Sequence, residues 1–303
     1  MFFHWLPWRF SLESTESAYY ATRSKAWIGA DQWVAVPWSL LWVTIIARHW
    51  FTLSARAILH SAMHFLVIIG PAYLRHIFGR QWYAQYRNII IIAALLAYIT
   101  HPGGGLYRDA IMENEAERTH LNALTMMVRL LVGSRMLFWL ILVFGYELPP
   151  ELGVPVNGLF LGCMIFLRPS IPFCRILETP LTSSLFRLIA DNIPIITILP
   201  SGRLPVKQLN DVCNPLVLWI QVSLGFILPT SIQLASDIAA RRHFARRRSD
   251  LLAPEERLKW SPRNPSATYP AWQLSVLLFT FASTGTWHFL IWLSSMDIFK
   301  CKG

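Results

Sequence analysis

Formal charge is scarce in this chain. Asp, Glu, Lys and Arg together make up 15% of its 303 residues, against 54% hydrophobic, and mean hydropathy is +0.40. A domain dissolved in water is ordinarily about one quarter charged, so the composition excludes an ordinary water-soluble globule and points to lipid as the solvent for most of the chain. Cysteine is scarce too. Cys163, Cys174, Cys213 and Cys301 form neither a C-x-x-C pair nor a zinc-ligand spacing, which excludes a disulfide framework and a metal knuckle. The ending Cys301-Lys302-Gly303 is not a prenylation signal.

Recognisable catalytic signatures are missing as well: there is no P-loop, no G-x-S-x-G elbow, no dinucleotide fingerprint and no kinase set. Gly103, Gly104 and Gly105 lack the Lys-Ser or Lys-Thr that phosphate cradling requires. The polar segments run to roughly 25–35 residues, below the ~40 at which domains begin to fold unaided, so no separate soluble catalytic domain is expected. No internal period is evident, which gives no support to a repeat array or an internally duplicated transporter. Residues 1–10 lack the charged, apolar and small-residue succession of a cleaved signal peptide. The first span is therefore expected to act as its own uncleaved insertion signal.

What the chain does have is long uncharged runs. Residues 264–296 contain no Asp, Glu, Lys or Arg, and their apolar core at 271–293 exceeds the roughly 20 residues a helix needs to cross ~30 Å of hydrocarbon. Just before it stand Arg241, Arg242, Arg246, Arg247 and Arg248. Residues 241–263 hold eight Arg or Lys against Asp250, Glu255 and Glu256, which is half of the net charge of +10. Beside two apolar runs, this segment reads as a positive-inside determinant in a cytoplasmic loop at 237–263 that also meets anionic lipid headgroups, not as a nucleic-acid site.

Further apolar runs occur at 27–47, 57–74, 88–107, 125–146, 152–167 and 212–236. A segment at 181–200 is interrupted by Arg187, Asp191 and Pro194. The expected fold is all-α: a polytopic transmembrane helical bundle of about seven spans, between six and eight, with 181–200 read either as a full span or as a re-entrant or broken helix. Residues 1–26 form an N-terminal extramembrane segment, 27–296 the membrane domain and 297–303 a short tail. Orientation conflicts with itself at this level. If the 241–263 loop is cytoplasmic and 181–200 crosses, then Arg75, Arg80 and Arg87 fall on the outside.

Four constellations carry potential chemistry. Arg187 and Asp191 lie one helical turn apart beside Asn192 and Pro194, a local recipe for a polar site at membrane depth, with a surface-lying amphipathic helix as the competing reading. Ser283, Thr284 and Thr286 in the last run either line a pathway or let helices approach closely. His60 and His64 share one helix face and, with His288, make haem ligation an alternative to simple inter-helix hydrogen bonding. Glu117 and His120 form a single E-x-x-H, where a di-iron bundle needs two, in a stretch that reads as a solvated acidic surface.

The functional expectation is a transport or channel-like membrane protein using Arg187, Asp191 and Asn192 with the hydroxyls of the last span, and no cofactor. The alternatives are a membrane-embedded enzyme, haem-linked or lipid-modifying, and a non-catalytic membrane scaffold.

Overall fold

In a computed structural model, described here for residues 9–49, 55–100, 131, 136–166, 210–260 and 271–295, every regular element is helical. We number them α1 (Glu13–His49), α2 (Ala55–Phe78), α3 (Arg80–Thr100), α4 (Met136–Gly145), α5 (Pro150–Phe166), α6 (Asn210–Val222), α7 (Leu228–Arg247), α8 (Pro254–Lys259) and α9 (Ala271–Ser295). A π-helical turn, Ser223–Ile227, joins α6 to α7, and a 3-10 turn, Ser249–Leu251, follows α7.

Six of the expected apolar runs coincide with α1, α2, α3, α5, α6–α7 and α9, and the fourth overlaps α4. Three boundaries differ, α3 starting at Arg80 where the apolar run starts at 88. The first helix begins at Glu13, not Trp27, and at 37 residues it is about 55 Å long. The helix before the basic segment continues to Arg247, because Asp237 and Arg241, four residues apart, pair along one face and take the arginine out of any loop.

Side-chain pairings fix the direction of each helix. Asp31 meets Tyr83 and Arg87, Tyr146 meets Ile68, Glu147 meets Ser236, and Ser223 meets Ser283. The chain thus runs from a polar end down α1, back up α2, down α3, up α4, down α5, up α6–α7 and down α9. Among the described residues there are seven helical passes between two ends. Both α5 and α6 have their free ends at the far end, and the expected span 181–200 between them lies outside the described residues. The α2–α3 corner turns on Gly79, whose φ of 83° lies in the left-handed region that a side chain disfavours.

The main core is built around Trp139, which stacks on Phe160 with ring centroids 3.8 Å apart and is surrounded by Ile91, Tyr98, Leu142, Val143 and Leu216. Its indole N–H also solves a backbone problem. Pro229 has no N–H to return to the carbonyl of Gly225 four residues earlier, and Trp139 Nε1 donates to that carbonyl at 2.9 Å. Gly225 carries no side chain because a Cβ there would lie 2.9 Å from Met136 Sδ. The α5–α7 contact is polar: Asn157 Nδ2 donates to Gln233 Oε1 at 3.2 Å and to Thr230 Oγ1 at 3.3 Å. A second, smaller cluster at the polar end gathers Phe10, Tyr19, Phe244, Leu252 and Trp260.

The outer surface between the two ends is apolar. Trp33, Val36, Leu40 and Val43 form one helical stripe on α1, with Trp33 78% and Leu40 65% exposed. Leu59, Met63, Leu66, Tyr73 and Ile77 form another on α2, and Val276, Leu277, Phe281 and Phe289 are exposed on α9. By length and composition, one helical stretch among the described residues, Pro215–Arg247, is apolar enough on its own to cross a membrane.

The Pro229–Gly225–Trp139 arrangement yields a test. Trp139→Phe should lower stability by about 1–3 kcal/mol, the cost of an orphaned buried carbonyl. In a Pro229→Ala background the loss should shrink, because residue 229 then supplies its own N–H. Thermal unfolding of the four proteins of this cycle in detergent measures the coupling, and equal losses in both backgrounds would remove the assignment.

Candidate functional site

The first half of α1 has two polar faces. Tyr19, Thr22, Arg23 and Ala26 look toward α7, while Tyr20, Ser24, Trp27 and Asp31 look toward α3 and the α4–α5 loop. Spacings of three and four residues place each set on one side of the helix. Three arginines lie among these faces, each with a partner.

Arg87 of α3 is 2% exposed and grips the fully buried Asp31 with two 2.7 Å hydrogen bonds, from Nε and Nη2. Tyr83 donates its hydroxyl to the same carboxylate at 2.9 Å, and Arg87 Nη1 reaches the Glu147 carbonyl at 3.0 Å. Arg241 of α7 is fully buried. It makes a two-pronged pair with Glu16, at 2.6 and 2.7 Å, and gives Nε to Asp237 at 2.7 Å. Tyr19 donates to the other oxygen of Asp237 at 2.6 Å, and its ring lies 4.3 Å beneath the guanidinium. Arg23 links α1 to Glu147 at 2.7 Å and to Ser236 at 2.6 Å. The Trp27 indole lies between Arg23 and Arg87, whose guanidinium carbons are 5.4 and 5.3 Å from its ring. The result is an ionic layer that ties α1 to α3, α7 and the α4–α5 loop.

On the α3–α5 side this layer is open to a cavity of about 340 Å³ walled by Arg9, Tyr20, Ser24, Trp27, Arg87, Asn88 and Glu151. Tyr20 donates to Glu151 Oε1 at 2.6 Å. The second oxygen, Glu151 Oε2, and the indole Trp27 Nε1 are both buried without a hydrogen-bond partner. A buried polar atom left unpaired costs ~1–3 kcal/mol, and both residues that carry one stand in the wall of this cavity. At about 340 Å³ it falls within the size range of small-molecule sites.

The residues singled out from sequence are distributed differently. Arg187, Asp191 and Asn192 lie outside the described residues, as do Glu117 and His120. Ser283 is buried at the α6–α9 crossing, sharing a 2.9 Å hydrogen bond with Ser223 and accepting Trp219 Nε1 on its carbonyl at 3.0 Å. Thr284 and Thr286 bond back to the carbonyls of Thr280 and Ala282 in their own helix. His60 and His64 sit on α2, and His288 is on the exposed face of α9. Among the described residues no group of three or more His, Cys, Asp or Glu is placed to hold a metal ion.

The basic set divides: Arg241 is locked inside, Arg242 is half-buried, and Arg246, Arg247 and Arg248 are exposed. Asp31, Arg87, Glu16 and Asp237 were not singled out. Their one legible signal was an ionisable residue inside or beside an apolar run, which requires a partner. No protein-family model, curated protein or solved structure matches this chain.

Two expectations follow from the ionic layer. Arg87→Met leaves Asp31 charged and unpaired and should cost about 3–5 kcal/mol. Adding Asp31→Asn should recover much of that loss, and an additive double variant would show that the two groups do not depend on each other. Burial pushes the Glu16 carboxyl up, but the hydrogen bonds and charge of Arg241, helped by the Phe10 N–H and Arg9, hold it net below its ordinary value of 4.5. A carboxyl depressed by folding contributes stability that is complete above its unfolded pKa and is lost as pH falls through the lower folded value. The thermal midpoint should therefore decline below about pH 4.5. Glu16→Gln should lower it at neutral pH and flatten the acid limb, as a pH series of melting curves would reveal.

Proposed function

We propose that this chain is a multi-pass integral membrane protein of the transport class, with its polar end in the cytoplasm and the Tyr20–Trp27–Arg87–Glu151 cavity as a solute-binding site. Three features support a bilayer around the seven passes. Large apolar side chains are exposed in helical stripes on α1, α2 and α9, a pattern that water would penalise over so wide a surface. Phe78, Trp82 and Tyr86 stack along the α2–α3 corner with centroids 4.6 and 5.1 Å apart and stay partly exposed, as aromatic rings do at a headgroup boundary. Among the described residues every Lys and Arg except Arg48 and Arg56 lies at the polar end, the bias that places an end in the cytoplasm.

The observation that carries the transport reading is one polar-walled cavity in which two wall residues, Glu151 and Trp27, each keep a buried polar atom without a hydrogen-bond partner. A small solute with both a donor and an acceptor, such as a polyol or a zwitterion, suits a wall that combines arginine, tyrosine, serine, asparagine and glutamate. Arg187, Asp191, Asn192 and the hydroxyls of α9 remain the proposed continuation of the pathway.

Two measurements test this. The chain should resist alkaline carbonate extraction, and single cysteines placed near Ser249 and near His49 should label from opposite sides of sealed vesicles; labelling from one side would end the multi-pass reading. In proteoliposomes assayed by light scattering with polyols and zwitterionic amino acids, Glu151→Gln and Trp27→Phe should reduce solute entry about tenfold. Entry equal to that of empty liposomes with the unaltered chain, or unchanged by both substitutions, would eliminate the transport assignment.

A further inference from the structure

A second cavity, of about 450 Å³, lies on the opposite face of α1, between it and the end of α7. Arg23, His243, Arg247 and Arg248 line it together with Tyr19 and Phe244, and no carboxylate belongs to its wall. The nearest acids are already engaged: Glu16 and Asp237 hold Arg241, and Glu147 holds Arg23. Arg23 Nε is buried with no hydrogen-bond partner. Arg248 keeps only a 3.7 Å exposed contact with Asp250.

Arginine at the last turn of a helix can serve merely to offset the macrodipole. That need is about half a unit of charge, whereas Arg246, Arg247 and Arg248 bring three positive groups to the end of α7. The surplus faces a pocket with an apolar floor. The depth of the pocket is also informative. Ala26, its innermost α1 residue, lies five residues beyond Asp31, which is about 7.5 Å along the helix. Asp31 is level with Arg87. Five residues from Arg87 toward the polar end of α3 stands Trp82, so the pocket starts level with the aromatic boundary, where headgroups meet protein.

We infer that this pocket binds the phosphate of an anionic phospholipid headgroup, held by Arg247 and Arg248 with the positive charge of Arg23 in the wall behind them, and with the glycerol and upper acyl carbons against Tyr19 and Phe244. Guanidinium groups suit phosphate through paired N–H donors, and basic pockets between spanning helices on the cytoplasmic side are where such headgroups settle. The inference rests on the membrane reading above and is independent of the transport assignment.

The test uses the full chain in nanodiscs of pure phosphatidylcholine and in nanodiscs that also contain phosphatidic acid, with retained lipid measured by native mass spectrometry and stability by thermal midpoint. The unaltered chain should retain phosphatidic acid selectively and melt at a higher temperature in its presence. Each of Arg247→Gln and Arg248→Gln should weaken retention about fivefold, near the contribution of one basic residue at an anionic surface. Arg246→Gln, exposed but outside the pocket wall, should retain the lipid as the unaltered chain does. Equal losses in all three variants would mean diffuse surface attraction and overturn the site. Inorganic phosphate reproducing the full shift in pure phosphatidylcholine would overturn the lipid as its source. Incorporation into nanodiscs without any lipid selectivity would refute this inference while leaving the membrane reading intact, and failure to incorporate at all would refute both.

Discussion

A guanidinium cannot be left bare inside a helical bundle, and the polar end of this protein is organised around that constraint. Taking an ion out of water costs several kcal/mol even after relaxation, and the loss is recovered only when opposite charge and hydrogen bonds are already in place. Arg87, Arg241 and Arg23 each meet that condition with a carboxylate within 2.7 Å. For two of the three the carboxylate comes from α1, and the third arginine is on α1 itself. Neutralising these charges forces α1 to lie against α3 through Asp31, against α7 through Glu16, and against the α4–α5 loop through Arg23. The long first helix therefore acts as a clamp, and its extra turns beyond the apolar stripe exist to reach Arg241.

The two cavities are consequences of the same arrangement. Because the partners of the buried arginines are consumed within the layer, what remains on either side of α1 is unbalanced in different ways. On the α3–α5 side a carboxylate oxygen and an indole N–H are left over. On the α7 side the charged groups in the wall are all positive, Arg23, Arg247 and Arg248, beside His243, Tyr19 and Thr22.

Below the ionic layer the forces change. There the contacts between passes are close ring packing and a few polar bonds, the kind that hold helices together where apolar burial supplies little. The Trp139–Phe160 stack, the Trp139 bond to the Gly225 carbonyl, the Asn157–Gln233 clasp and the Ser223–Ser283 pair are such contacts. Pro229 illustrates the logic: a residue that removes a backbone donor is accommodated where a π-helical turn and a neighbouring indole satisfy the carbonyl it exposes.

Helical content and the position of most passes were legible from uncharged runs alone, since run length against bilayer thickness is a local property. The direction of charge was legible too, as an excess of arginine near residue 241. Pairing was not. In the sequence Asp31 is a lone charge inside the apolar run 27–47 and Arg241 is one of five neighbouring arginines, because Arg241 and Glu16 stand 225 positions apart and Asp31 and Arg87 stand 56 apart. Which of five neighbouring arginines turns inward depends on where a carboxylate from another helix arrives. The orientation conflict had the same origin, for the shared polar end of the α2–α3 corner, the α4–α5 loop and the end of α7 emerges only from inter-helix hydrogen bonds. Hydrophobicity along the chain therefore determined which segments are helices in an apolar medium. Packing in three dimensions decided which charges are locked inside and which stay at the surface, because electrostatic neutralisation is a property of neighbours in space.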